Sequence, residues 1–309
     1  MRRIQAFLMA LILFVFFLAG FHLTMSRISL RGGDGFRFFY SDLRNKSLAA
    51  LTDNMDEDTM PIFGSSELGT WIEEPYHISH MFARQQVDSM TVGHPMVQSL
   101  QDAISLAAID GSRSPKKVTL LASPTWFYGD GVASTAFKQH FSDTAYLAML
   151  KNDRLSAETR QKIINRVMVL ASSDIAFSNR IKAYQRAYAT EDASATERLT
   201  ADLLAANRGD RENFAAAVLK LKNANKVAKN IEPTEATVHS YQSEDGSVDW
   251  EKMKADAISE TASQSDNPLY VKNESWKNLY QKSYQAGTQI HKGEQWTSAK
   301  EKGDLSSRL

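Results

Sequence analysis

Gly64-Ser65-Ser66-Glu67 follows the short apolar run Thr59-Met60-Pro61-Ile62-Phe63, and these residue types in this order could perform acyl transfer. A buried strand that ends at a glycine and turns into a helix sets a serine in the first helical turn. Free backbone N–H groups and a partial positive charge there stabilise the oxyanion of a tetrahedral intermediate. Ser66 is the residue so placed. The same types also fit capping, in which a serine oxygen accepts from an exposed N–H at a helix start. On these residues alone capping is the favoured reading.

The surrounding pattern predicts how such a turn would be held. Thr59–Phe63 reads as a strand, Ser66 to about Gln86 as helical stretches interrupted at Pro75, and Val87–Val92 as a weaker strand ending at Gly93. Met96 to Ile109 reads as a helix, its apolar residues Met96, Val97, Leu100, Ile104, Ala107 and Ala108 recurring at three and four, with Gly111 and Pro115 ending it. Lys116–Ser123 is the best strand in the chain. Strand alternating with helix in this way predicts an α/β fold with a parallel sheet covered on both faces. Ligands bind such sheets beyond the carboxyl ends of the strands. Those ends are Gly64-Ser65-Ser66-Glu67, Gly93-His94-Pro95 and Ser123-Pro124-Thr125-Trp126.

The 309 residues are 43% hydrophobic, enough for a substantial core in one large or two small domains. Lys+Arg and Asp+Glu both number 36, so no global field argues for nucleic acid as a partner. The absence of cysteine removes disulfides, thiol nucleophiles and thiolate metal sites. Ala6–Phe21 carries no charge, and with Gln5 and His22–Met25 it reaches ~30 Å as a helix, the thickness of a bilayer. A cleavable signal peptide is the competing reading. The small pair Ala19-Gly20 is followed by bulky Phe21, His22 and Leu23, a poor cleavage exit. The expectation is a cytoplasmic N-terminus (1–5), an uncleaved anchor (6–25), and everything beyond it on the outer side. Residues 26–58 read as a juxtamembrane segment, pliable at Gly32-Gly33, whose aromatics Phe36, Phe38, Phe39 and Tyr40 pack onto the folded domain.

Pro61-Ile62-Phe63-Gly64-Ser65-Ser66-Glu67-Leu68, then Gln98-Ser99-Leu100, then Ser123-Pro124-Thr125-Trp126-Phe127, and more weakly Asn267–Trp276, resemble the DltD family of D-alanyl-lipoteichoic acid biosynthesis proteins. The resemblance implies one N-terminal anchor and an extracellular SGNH-hydrolase-like domain, a three-layer α/β fold, over 59–309. It also implies a role in D-alanylation of teichoic acids, with a membrane-embedded O-acyltransferase and a D-alanyl carrier protein as partners, a teichoic acid acceptor, and no cofactor. In the matching pattern Ser66 is the nucleophile and the N–H groups of Ser66 and Gly93 are oxyanion donors. Ser65, Glu67, Ser123, Thr125, Trp126 and Phe127 line the pocket. The family draws its base from an Asp-x-x-His near the C-terminus. None of His22, His77, His80, His94, His140, His239 and His291 has an aspartate three residues earlier. His94, beside Gly93, is the candidate base that remains.

After Phe127 the pattern is helical over Phe141–Lys151, Ala157–Ala189 and Glu191–Ala228, an insertion of about 141–230 with Ile163, Ile164, Val167, Leu170 and Ala171 as one apolar stripe. Glu232–Asp266 reads as a polar loop. No further strong strand follows, which predicts an incomplete sheet in a C-terminally truncated chain. Histidines and acids show no metal-ligand spacing, and no glycine-rich phosphate loop is present. Three functions fit: an anchored serine acyltransferase, a noncatalytic partner or carrier-binding protein of the same pathway, and a cell-wall esterase.

Overall fold

A strand covered on both faces must be apolar at every position, and Met60-Pro61-Ile62-Phe63-Gly64 meets that demand. In the computed structural model, which describes residues 2–69, 87–122 and 132–223 with Ile78, Trp126 and Lys252, it forms β1 (Met60–Gly64), buried throughout. β1 is the central strand of a parallel sheet ordered β2-β1-β3, with β2 at Ser89–Gly93 and β3 at Thr119–Leu120. The register pairs Met60 with Ser89 and ends by pairing Gly64 with Gly93. β3 meets β1 only at Ile62 and Phe63, so Pro61, which has no N–H to donate, lies before the paired stretch on that side.

The strand expected over Lys116–Ser123 is therefore much shorter in its described part. Val118 and Leu120 are 41% and 49% exposed, and an apolar run without cover on both faces extends no ladder beyond the Leu121 N–H bond to the Phe63 carbonyl. The two-layer cover comes from helices. α1 (Arg2–Arg27), α2 (Asp34–Arg37), α3 (Asp42–Lys46) and α4 (Leu48–Thr52) precede the sheet. α5 (Ser99–Arg113) joins β2 to β3 and buries Leu100, Ile104, Ala107 and Ala108, the stripe expected of it. It begins at Ser99 because Met96 has a left-handed φ of 68°, which no helical residue adopts. It runs through Gly111 and stops where Ser114, at φ 49°, takes the left-handed cap position.

Beyond the sheet lie α6 (Ser134–His140), α7 (Asp143–Lys151), α8 (Ala157–Ala171), α9 (Ile175–Tyr188) and α10 (Ala195–Asn223). The expected stripe of Ile163, Ile164, Val167, Leu170 and Ala171 is buried, packed in one core with Phe137, Phe141, Tyr146, Phe177 and Tyr184. The helix expected over Ala157–Ala189 is divided at one capping residue, Asp174, and the helix expected from Phe141 starts behind another, Ser142. Ser142 Oγ accepts from Ala145 N at 3.1 Å, and Asp174 Oδ1 from Phe177 N at 2.8 Å. Ser194 and Glu197 form a reciprocal capping box at the start of α10. Glu232–Asp266 lies outside the described residues apart from Lys252.

The segment between α1 and β1 is pinned rather than pliable. Asn54 donates to the Leu30 carbonyl at 2.9 Å and accepts from Gly32 N at 2.7 Å, while Asp53 accepts from Leu30 N at 2.7 Å. Phe36 and Phe38 are buried, as the aromatic cluster led us to expect. α1 is long and apolar enough to cross a membrane over Ile4–Arg27, with none of its most apolar window buried. Among the described residues its C-terminal end meets α10: Phe21 against Phe214 at 6.0 Å, His22 with Asp210 at 3.0 Å, and Asn213 donating to the Met25 carbonyl at 3.1 Å.

α10 also carries an acid into the core. Glu212 accepts from Thr144 Oγ1 at 2.6 Å and Asp143 N at 3.1 Å at the start of α7. Burial, reinforced by the charge of Asp143, pushes its carboxyl up to about 8. A carboxyl whose folded value exceeds its unfolded value of ~4.3 stabilises most below that unfolded value and loses the contribution as pH rises through the folded one. Stability should therefore fall between about pH 4.3 and about pH 8 by up to ~1.4 kcal/mol per pH unit from this group. Urea midpoints across that range should show the slope in the native chain and a flatter profile in Glu212→Gln.

Candidate active site at the carboxyl edge of the sheet

β1 and β2 end side by side in glycine, and the space there admits nothing larger. A Cβ on Gly93 would stand 2.0 Å from the Gly64 carbonyl oxygen, and one on Gly64 would stand 2.8 Å from Glu67 Oε1. The chain turns from Gly64 through Ser65 into a short 3-10 helix, Ser66–Gly69. Ser65 is buried, with its Oγ 3.4 Å from the His94 carbonyl, and Tyr40 donates to its carbonyl at 3.3 Å. Ser66 is exposed.

This geometry separates the two readings of the serine pair. A capping serine would accept from an N–H of its own turn. Instead the Ser65 N–H is taken by Glu67 Oε1 at 2.6 Å, and Ser65 Oγ points to His94. Ser66 Oγ makes no hydrogen bond among the described residues. The carboxylate does the capping, which leaves the exposed hydroxyl at the end of the central strand available for chemistry.

Glu67 sets the electrostatics around the turn. Burial, and after it the Glu67 charge, pushes the Asp102 carboxyl on α5 well above the ordinary range and the Tyr40 hydroxyl up to about 12. The buried Oδ2 of Asp102 has no hydrogen-bond partner among the described residues.

His94 follows β2 and stands between two rings. It stacks on Tyr40 at 5.2 Å with 14° between planes, and His140, at the end of α6, lies 5.0 Å away at 42°. Burial holds the His94 imidazole below its ordinary value, His140 and Lys46 adding to the effect and Asp42 opposing it. Its Nδ1 is buried with no partner of hydrogen-bond geometry, although the Pro95 backbone is close. Among the described residues its ring makes no bond to Ser66; its contact with the serine turn runs through its backbone carbonyl.

His140 Nδ1 is 2.7 Å from Asp42 Oδ1, and Lys46 Nζ is 3.0 Å from Asp42 Oδ2. Burial alone would raise the Asp42 carboxyl, but these two partners hold it below its ordinary value. Asp42 and His140 are 98 positions apart, so no local spacing could have paired them, and sequence reasoning missed both. It also missed Asn45, whose Nδ2 donates to the Gly93 carbonyl at 2.6 Å, and Arg44, whose guanidinium is fully buried. Of the residues expected at the third strand end, Trp126 is buried. Ser123, Thr125 and Phe127 lie outside the described residues, as do His77, His80, His239 and His291.

A three-strand parallel sheet with an exposed serine just beyond its central strand, helices around it and one apolar N-terminal helix define an α/β protein. The DltD protein family matches residues 40–309, and the chain belongs to that family. Protein DltD of Staphylococcus aureus (strain NCTC 8325 / PS 47) is 23% identical over 220 residues, covering 70% of this chain and 51% of that protein. The chain spans about half the length of the curated relative it matches.

Proposed function

We propose that this chain is a membrane-anchored, extracellular component of teichoic acid D-alanylation in which Ser66 carries the D-alanyl group as an ester. Membership of the DltD family supports the pathway. The observation that carries the chemistry is the Ser66 hydroxyl, exposed and unbonded at the end of β1 while Glu67 serves the backbone in its place. Ser66 Oγ attacks the acyl carbonyl, loses its proton to a base, and expels the donor's leaving group; a second attack by an acceptor hydroxyl regenerates the serine. The N–H groups of Ser66 and Gly93 are the donors assigned to the oxyanion. His94, whose imidazole burial holds below its ordinary value, is the group assigned to the proton. Ser65, Glu67, Ser123, Thr125, Trp126 and Phe127 form the pocket wall in this reading.

The anchor is α1, spanning with its N-terminus in the cytoplasm, and the domain of residues 59–309 works outside. Its partners are the membrane-embedded O-acyltransferase and the D-alanyl carrier protein of the pathway, with teichoic acid as acceptor. One observation favours a second, noncatalytic reading as a holder of those partners: among the described residues no imidazole is hydrogen-bonded to Ser66.

A serine-reactive fluorophosphonate decides between them. Labelling of the full chain in detergent is expected, with complete loss in Ser66→Ala and retention in Ser65→Ala. Labelling that survives Ser66→Ala overturns the nucleophile, and a chain that never labels is the noncatalytic holder.

A further inference from the structure

Three side chains that no sequence motif connects meet beside the serine turn. Asp42 comes from the first turn of α3, His94 from the loop after β2, and His140 from the end of α6. One ligand atom from each lies within 4.8 Å of the other two. We infer that Asp42, His94 and His140 form a binding site for one divalent transition-metal ion of the Zn2+ class.

The donor chemistry selects the ion. Two imidazoles and a carboxylate are the borderline N and O ligands that Zn2+ and its first-row neighbours take, whereas Mg2+ and Ca2+ require oxygen throughout. Three protein ligands leave the remaining position of a tetrahedral ion open to water or an incoming group. Donors around such an ion at ~2.1 Å stand about 3.4 Å apart, so side-chain rotations of about an ångström close the observed cluster.

Two further observations point to an occupant. Nδ1 of His94 is buried and, apart from the nearby Pro95 backbone, has no hydrogen-bond partner among the described residues, a polar atom withdrawn from water that a ligand bond would satisfy. The three donors are also held from outside in the manner of metal ligands. Lys46 binds Asp42 through Oδ2, leaving Oδ1 towards His140. Tyr40 covers one face of the His94 ring, and Gln101 Nε2 donates to the His140 carbonyl at 2.5 Å. The competing account is a purely structural Asp42–His140 hydrogen bond with His94 stacked upon it. That account leaves the buried nitrogen of His94 unexplained.

The site adjoins the serine turn through His94, whose carbonyl receives Ser65 Oγ; an imidazole that ligates an ion cannot also take the serine proton, so the inference replaces the base assigned to His94 and leaves Ser66 as nucleophile untouched. Binding and labelling can therefore fail separately. The full chain in detergent, stripped with a chelator, should be titrated with Co2+ followed by ligand-field absorption and with Zn2+ by calorimetry. The expected result is one equivalent of either ion, with intense low-symmetry Co2+ bands. Affinity should weaken by at least about tenfold in both His94→Ala and Asp42→Asn and stay unchanged in His22→Ala, with circular dichroism confirming that each variant is folded. His94 is only half-buried and its loss should leave the fold standing. Absence of saturable binding in the native chain, or native affinity retained in either His94→Ala or Asp42→Asn, overturns the inference.

Discussion

Arg44→Ala is expected to cost about 3–5 kcal/mol of folding stability, read as a fall in the denaturant midpoint, because it orphans groups on two sides of the sheet edge at once. The Arg44 side chain is fully buried. Its guanidinium donates to the Phe36 carbonyl at 2.7 Å, to the Arg37 and Thr91 carbonyls, and to Asn45 Oδ1 at 2.7 Å. Burial pushes it down to about 9, so it is still charged at neutral pH and is held by oriented dipoles. Thr91 belongs to β2, which has β1 on one side only among the described strands. Arg44 and Asn45 occupy the other side, bonding the Thr91 and Gly93 carbonyls. Neighbouring residues of α3 thus take the place of a further strand and close an edge that would otherwise present free acceptors. Arg44→Lys, with a point charge and no fork, should recover only part of the loss. A loss below about 1 kcal/mol in Arg44→Ala would show that water replaces the guanidinium and that the edge does not depend on it.

Gly93→Ala should be the second severe change, costing about 3 kcal/mol or more. The added Cβ would stand 2.0 Å from a backbone oxygen, that of Gly64, and 2.7 Å from Leu68 Cδ1. A backbone atom in a buried ladder cannot rotate aside, so the strand ends must separate. Gly64→Ala presents an internal comparison, since its closest obstacle is Glu67 Oε1 at 2.8 Å, the far end of a flexible side chain. It should cost roughly 1 kcal/mol. Fluorophosphonate labelling of Ser66 should fall with Gly93→Ala even in the folded fraction, because the turn springs from the separated strand ends. Equal stability of the two alanine variants would contradict the close pairing of Gly64 with Gly93.

Much of this edge was legible because its information is local. An unbroken apolar run ending at glycine gave away β1, and the spacing of Leu100, Ile104, Ala107 and Ala108 gave away α5. The helix break at Asp174 was hidden, since one capping residue decides it against a periodicity that continues across it. The third strand was read as longer than its described part because the pattern around Val118 and Leu120 does not tell whether a run will be covered. The serine pair could be read either as cap or as nucleophile, and the partner that takes the Ser65 N–H, Glu67 two residues away, could not be read from the turn's composition. The grouping of Asp42, His94 and His140 was illegible in principle, for it exists only once α3, β2 and α6 have converged.

The grip of α10 on the end of α1 changes what an anchor means for this molecule. Phe214, Asp210 and Asn213 hold Phe21, His22 and Met25, and Asn54 fastens the chain that follows. With α1 in a bilayer, the domain cannot swing as a tethered body would. The serine turn would then be carried at a fixed height and heading above the lipid, and lengthening the link between α1 and α2 would not free it while the α10 contacts hold.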